Sequence, residues 1–140
     1  MRFVLDNSVA MRWLFADGSA DDLAYATRIL GLMELEGTAV LVPSLWALEV
    51  ANVVVRAEAK GLVAEARSAE FLGLLQDMAV FVDNETAGRA LNDTLQLARR
   101  FGLSAYDASY LELALREGLS LATLDADLRA AMMKLGVGRA

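Results

Sequence analysis

Four short apolar runs, each closed by a turn, cap or proline and followed by residues at helical spacing, leave this chain few folds to choose from. Phe3-Val4-Leu5 ends at Asp6-Asn7-Ser8, residues that favour turns and helix caps. A short helix is expected from Val9 to Phe15, broken by Ala16-Asp17-Gly18-Ser19. A longer one follows over Asp21 to Glu36, with Leu23, Ala26, Leu30 and Met33 on one face. Ala39 to Val42 reads as a second strand stopped by Pro43. Ser44 is the expected cap of the next helix, running to about Lys60 with Gly61 as its stop.

The second half repeats the scheme. Ala64 to Met78 reads as a helix and Ala79 to Val82 as a third strand; Asn84 is the expected cap of one helix that Gly102 ends after Phe101. Ser104 starts a helix to about Glu117, Leu119 to Ala122 forms a fourth strand, and Asp125 to Leu135 a last helix. Gly136-Val137-Gly138 offers a short edge strand. Short strands alternating with helices predict an α/β layered domain with a mostly parallel central sheet. At 140 residues and 56% hydrophobic content the chain is long and apolar enough to pack one core, so a single domain over 1–140 is expected. In such sheets ligands sit beyond the carboxyl ends of the strands. Asp6 and Asp125 both follow a strand.

The chain has no cysteine and no histidine. Disulfides, thiolate or imidazole zinc sites, cysteine nucleophiles and histidine acid–base catalysis are therefore excluded. A catalytic metal must be held by oxygen, which suits Mg²⁺, Mn²⁺ or Ca²⁺. The run before Asp6 is too short for a signal peptide, and the longest apolar stretch, Thr38 to Val55, is interrupted by Pro43, Glu49 and Asn52. A soluble cytoplasmic protein is expected. A net charge of −6 argues against a nucleic-acid substrate, but setting aside four acids as one metal pocket leaves 15 acids against 13 bases.

Four acids stand out, each with an ordinary structural alternative. Asp6 and Asp125 fit helix N-caps as well as ligands at a sheet edge. Asp127 lies close enough to Asp125 that spacing does not choose between them, although Asp125 is nearer the strand end. Asp107 forms an S-x-x-D capping pair with Ser104 and sits in a first helical turn, where acids are favoured. Glu49 lies in Trp46-Ala47-Leu48-Glu49-Val50-Ala51-Asn52-Val53-Val54-Val55, a helix apolar nearly all round. Such a helix is expected to be buried, and a buried carboxylate needs a partner or a metal. The alternative is an exposed stripe of Glu49, Asn52, Arg56 and Lys60.

The blocks Val4-Leu5-Asp6-Asn7-Ser8, Pro43 to Asn52, Leu103 to Tyr110 and Leu121-Ala122-Thr123-Leu124-Asp125 occur in the order found in a known family. The chain resembles PIN-domain proteins, specifically the toxin nucleases of VapBC-type toxin–antitoxin pairs. The resemblance implies a three-layer α/β/α sandwich around a short parallel sheet and an endoribonuclease using Mg²⁺ or Mn²⁺. It places the metal site on Asp6, Glu49, Asp107 and Asp125, with Asp6 and Asp107 as the direct ligands. Ser8, Asn52 and Thr123 match accompanying positions that support those ligands or orient substrate. It further implies hydrolysis leaving a 5′-phosphate, an RNA substrate, a cognate antitoxin and a homodimer. Arg12 is an expected phosphate contact near the sheet edge.

Two other enzyme classes fit poorly. A phosphoaspartyl hydrolase needs D-x-D where this chain has Asp6-Asn7-Ser8. A receiver domain needs a lysine at the sheet edge, whereas Lys60 and Lys134 fall within or at the end of helices. A rival from a different class is a catalytically silent PIN-like module that binds protein or RNA.

Overall fold

A computed structural model describes residues 1–140. In chain order the elements are β1 (Arg2–Leu5), α1 (Asn7–Phe15), α2 (Ala20–Met33), β2 (Ala39–Val42), α3 (Trp46–Ala59), α4 (Glu65–Gln76) and β3 (Val80–Val82). They continue with α5 (Thr86–Arg89), a π-helical stretch (Ala90–Thr94), α6 (Leu95–Phe101), α7 (Ala105–Glu117), β4 (Ser120–Ala122) and α8 (Ala126–Leu135). The sheet order is β3-β2-β1-β4, and every pairing is parallel. The expected α/β/α sandwich is present. Strand β1 lies inside the sheet, and Phe3, Val4 and Leu5 are fully buried. An unbroken apolar run suits a strand covered on both faces. Helix α7 packs on β1 and gathers α6 and α8; α1 packs against α2, α3 and α4.

Local signals account for most of the helix ends. Ser19 and Ser104 accept hydrogen bonds from the backbone N–H groups of Asp22 (3.1 Å) and Asp107 (3.0 Å), and Asp125 from that of Leu128 (2.8 Å). Gly102 and Gly118 end α6 and α7 at φ 64°, a left-handed conformation costly for any residue with a Cβ.

Four expectations are corrected. Ser44 does not cap α3. That helix starts at Trp46, whose N–H bonds to the Pro43 carbonyl (3.0 Å), while the Ser44 N–H donates to Thr86 Oγ1 (3.0 Å). Asn84 caps nothing either, because Thr86 organises that turn by donating to Asp83 Oδ2 (2.9 Å). One threonine across the sheet edge thus displaces two local caps.

Helix α3 is not buried all round. Trp46, Val50, Val54 and Ala57 face the core, while Leu48 is 76% exposed and Val55 59%. The edge strand expected at Gly136-Val137-Gly138 shrinks to a single parallel bridge between Leu121 and Arg139. The helix expected over Asn84 to Phe101 carries a π-helical segment that no proline or glycine within Ala90–Thr94 announces. No helix is long and apolar enough to cross a membrane.

Candidate metal centre

Parallel strands point their carboxyl ends the same way, so residues after β1 and β4 meet. The Asp6 N–H donates to the Ala122 carbonyl (2.9 Å), extending the β1–β4 ladder by one residue. The Asp6 side chain is only 4% exposed and makes no capping bond to α1. Instead its Oδ2 accepts two hydroxyl bonds, from Ser8 Oγ (2.6 Å) and Thr123 Oγ1 (2.7 Å).

Both hydroxyls are oriented from behind. Ser8 Oγ accepts from the Leu124 N–H (2.9 Å) and Thr123 Oγ1 from the Asp125 N–H (3.0 Å), so each turns its proton toward Asp6. An oxygen that accepts two O–H donors is a carboxylate oxygen, and the other oxygen, Oδ1, keeps no side-chain partner. Replacing the buried Thr123 with valine keeps its shape and removes one donor. Metal affinity is expected to fall about 10–100-fold with little change in secondary structure, as calorimetry and circular dichroism would show.

Glu49 leaves the first turn of α3 and accepts from Tyr110 Oη on α7 (2.5 Å), a residue 61 positions away. Tyr110 is fully buried. Asp107 has its backbone N–H capped by Ser104, but its carboxylate makes no return bond to the Ser104 backbone, so the expected capping box is half-formed. Asp125 spends one oxygen on capping α8 and still lines the same cavity.

That cavity, about 390 Å³, is lined by Asp6, Asn7, Ser8, Glu49, Asp107 and Asp125, with Arg12 and Asp22 also on its wall. Asp127 is exposed and not on it, so the structure distinguishes Asp125 from its neighbour. Asn52 is exposed on α3 and also lies off the cavity. Thr123 sits behind Asp6. The sequence gave no role to Tyr110, Asn7 or Asp22. The i, i+3 spacing of Tyr110 from Asp107, on one helix face, was the available signal for the first.

The acids disturb one another. Burial raises the Asp6 carboxyl above its ordinary value, opposed by the Ser8 and Thr123 bonds and reinforced by the charge of Asp125. Burial raises Glu49 too, opposed by Tyr110 and reinforced by Asp6 and Asp107. Asp107 is pushed up to about 6 by burial and by the charges of Asp6 and Asp125. Arg12, the basic side chain on the wall, pairs with Asp17 (2.8 Å).

The donor set therefore fits a hard divalent cation: oxygen only, acidic and under mutual repulsion. No three acids stand close enough to hold an ion as they are, so closing on one requires side-chain movement. A somewhat larger cavity, about 450 Å³, lies elsewhere against α7 and includes Arg89, Asp93, Glu112 and Arg116. Its charges are already paired with one another and with Asp83 and Glu85, as a structural network would be.

A family model for the PIN domain matches residues 3–132. Among solved structures, PAE2754 from Pyrobaculum aerophilum is 24% identical with a TM-score of 0.66, covering 99% of this chain and 83% of that one. VapBC2 from Rickettsia felis, bound to a DNA fragment from their promoter, is 11% identical with a TM-score of 0.65, covering 100% and 98%. FitAcB from Neisseria gonorrhoeae is 16% identical with a TM-score of 0.56, covering 99% and 96%. At such identities the likeness speaks for the fold. No curated protein sequence matches the chain. With the family model spanning nearly its whole length, the chain belongs to the PIN domain family.

Proposed function

We propose that this protein is a divalent-metal-dependent endoribonuclease and the toxin of a toxin–antitoxin pair. The observation that carries the reading is the gathering of Asp6, Glu49, Asp107 and Asp125, from four separate elements, onto one cavity at the carboxyl edge of the sheet. Asp6 and Asp107 would hold Mg²⁺ or Mn²⁺, with Glu49 and Asp125 completing the site. A bound ion of this kind supplies charge neutralisation at the phosphodiester and lowers the pKa of the attacking water. The chain's own part is positioning. Ser8 and Thr123 fix the Asp6 carboxylate, Tyr110 fixes Glu49, and the α8 cap restrains Asp125. Arg12 is the candidate for meeting a substrate phosphate. The family membership and the likeness to VapBC2 and FitAcB support the toxin reading, with a cognate antitoxin and a second copy of the chain as partners.

The test is incubation of the purified chain with structured RNA and Mg²⁺ or Mn²⁺. Products abolished by EDTA are expected. Calorimetric binding of metal and RNA without products would instead make it a silent binding module. A small antitoxin-like gene directly upstream would favour the toxin.

The raised carboxyls give the reading a pH signature. Asp107 must lose its proton to bind a cation, so metal affinity is expected to climb as pH rises through about 6. Without metal the sign for stability is opposite. These groups hold protons more tightly folded than unfolded, so their contribution favours the fold at low pH. It is lost as pH rises through the folded values. Thermal melts between about pH 4 and 7.5, with and without Mn²⁺, should show metal-free stability declining and metal-dependent stabilisation growing.

A further inference from the structure

Asn7, the first residue of α1, is 8% exposed and lines the acidic cavity, yet its buried Oδ1 has no hydrogen-bond donor. Buried acceptors without donors are rare, because burial strips their water and returns nothing. The cavity has almost no donor to offer. Its acids are acceptors, and the Ser8 hydroxyl is spent on Asp6. Arg12 lies on the same wall with its Nε also buried and unpartnered, while its Nη1 goes to Asp17. The two do not pair with each other. One acceptor and one donor on the same cavity wall thus await a ligand that carries both an O–H or N–H and an anionic oxygen.

An RNA backbone carries that pair on adjacent groups, the ribose 2′-hydroxyl and the phosphate oxygens. A DNA backbone carries only the acceptors. We propose that Asn7 and Arg12 form a ribose–phosphate subsite, in which Asn7 Oδ1 accepts from a 2′-hydroxyl and Arg12 Nε donates to the neighbouring phosphate. This rests on the reading of the cavity as a nucleic-acid site. It adds the side chain that distinguishes RNA from DNA there. The 2′-hydroxyl takes no part in the hydrolysis; it is recognised.

The test measures binding apart from turnover. Full-length protein in Ca²⁺ is titrated with a short ribo-oligonucleotide and with 2′-deoxy and 2′-fluoro versions of the same sequence, followed by fluorescence anisotropy. Wild type is expected to bind the ribo form about tenfold more tightly than either analogue, the effect of one lost hydrogen bond. Asn7→Ala should erase that ratio while leaving deoxy binding unchanged, and Arg12→Gln should weaken all three alike.

Equal affinity of wild type for the ribo and 2′-fluoro forms would overturn the proposal, and needs no variant to fold. So would a ribose preference that survives in Asn7→Ala, whether the variant loses affinity for Ca²⁺ alone, which would place Asn7 behind the metal, or gains a sequence preference, which would assign it to a base. Failure of the nuclease reading looks different. Ribose preference without EDTA-sensitive cleavage refutes that reading and keeps this one, whereas cleavage without ribose preference does the reverse.

Discussion

Asp6→Asn is expected to abolish metal-dependent RNA cleavage, by roughly 10³-fold or more, while leaving the protein folded and, without metal, at least as stable. An asparagine carbonyl oxygen in place of Oδ2 can still accept the Ser8 and Thr123 hydroxyls, so the junction between β1 and β4 keeps its bonds. What disappears is a buried negative charge beside other acids. Burial and the charge of Asp125 both disfavour that charge in the folded chain, and its removal lessens the strain on Glu49 and Asp107. Such a trade of stability against activity is characteristic of a site built for a ligand rather than for the fold. Thermal melts with and without Mn²⁺ should show the variant's metal-free midpoint unchanged or higher and its metal-induced rise gone. Retained EDTA-sensitive cleavage by a folded Asp6→Asn protein would reject the assignment.

Arg116→Ala is expected to be the most damaging single substitution for stability, costing about 3–5 kcal/mol. The Arg116 guanidinium on α7 is nearly buried. It bonds to both Asp83 oxygens (3.1 and 2.8 Å) and both Glu112 oxygens (2.8 and 3.1 Å), and reaches Glu85 (3.1 Å). The side chains of Asp83 and Glu112 are only 7% and 6% exposed. Removing the arginine leaves two carboxylates in the interior with little water to replace it, and that penalty exceeds whatever the intact network contributes.

The pH dependence follows from Asp83. Burial pushes its carboxyl up, but the Arg116 and Thr86 bonds outweigh burial and hold it below its ordinary value. The contribution is therefore present above about pH 4 and lost as acid approaches the depressed value. Urea denaturation at neutral pH should show the full deficit of Arg116→Ala. A wild-type-like midpoint would mean that the network is solvated and contributes little.

How much of this was legible beforehand can be followed residue by residue. Ser19, Ser104 and Asp125 act as caps, and the strands fall within a residue or two of where apolar runs and turn residues put them. Those signals are local: a cap bond spans three residues, and a helix face repeats every three or four. The four acids were legible for the same reason, since three of them mark the start of a helix or the residue just before one.

Partnership was not. The order β3-β2-β1-β4 seats β1 between β2 and β4, and only then does Thr123 reach Asp6 across 117 positions and Tyr110 reach Glu49 across 61. The same topology gives Thr86 the Ser44 N–H, which cancels a cap that the sequence offered, and leaves Leu48 and Val55 of an apolar helix facing outward. Sequence by itself determined the alternating elements and which acids sit where strands end, because short-range hydrogen bonding and apolar spacing act within a turn or two of chain. Tertiary structure alone decided which of those acids share a cavity, what holds each in place, and which polar atoms of Asn7 and Arg12 are left waiting. Contacts between distant residues depend on how strands are ordered, and no local pattern encodes that order.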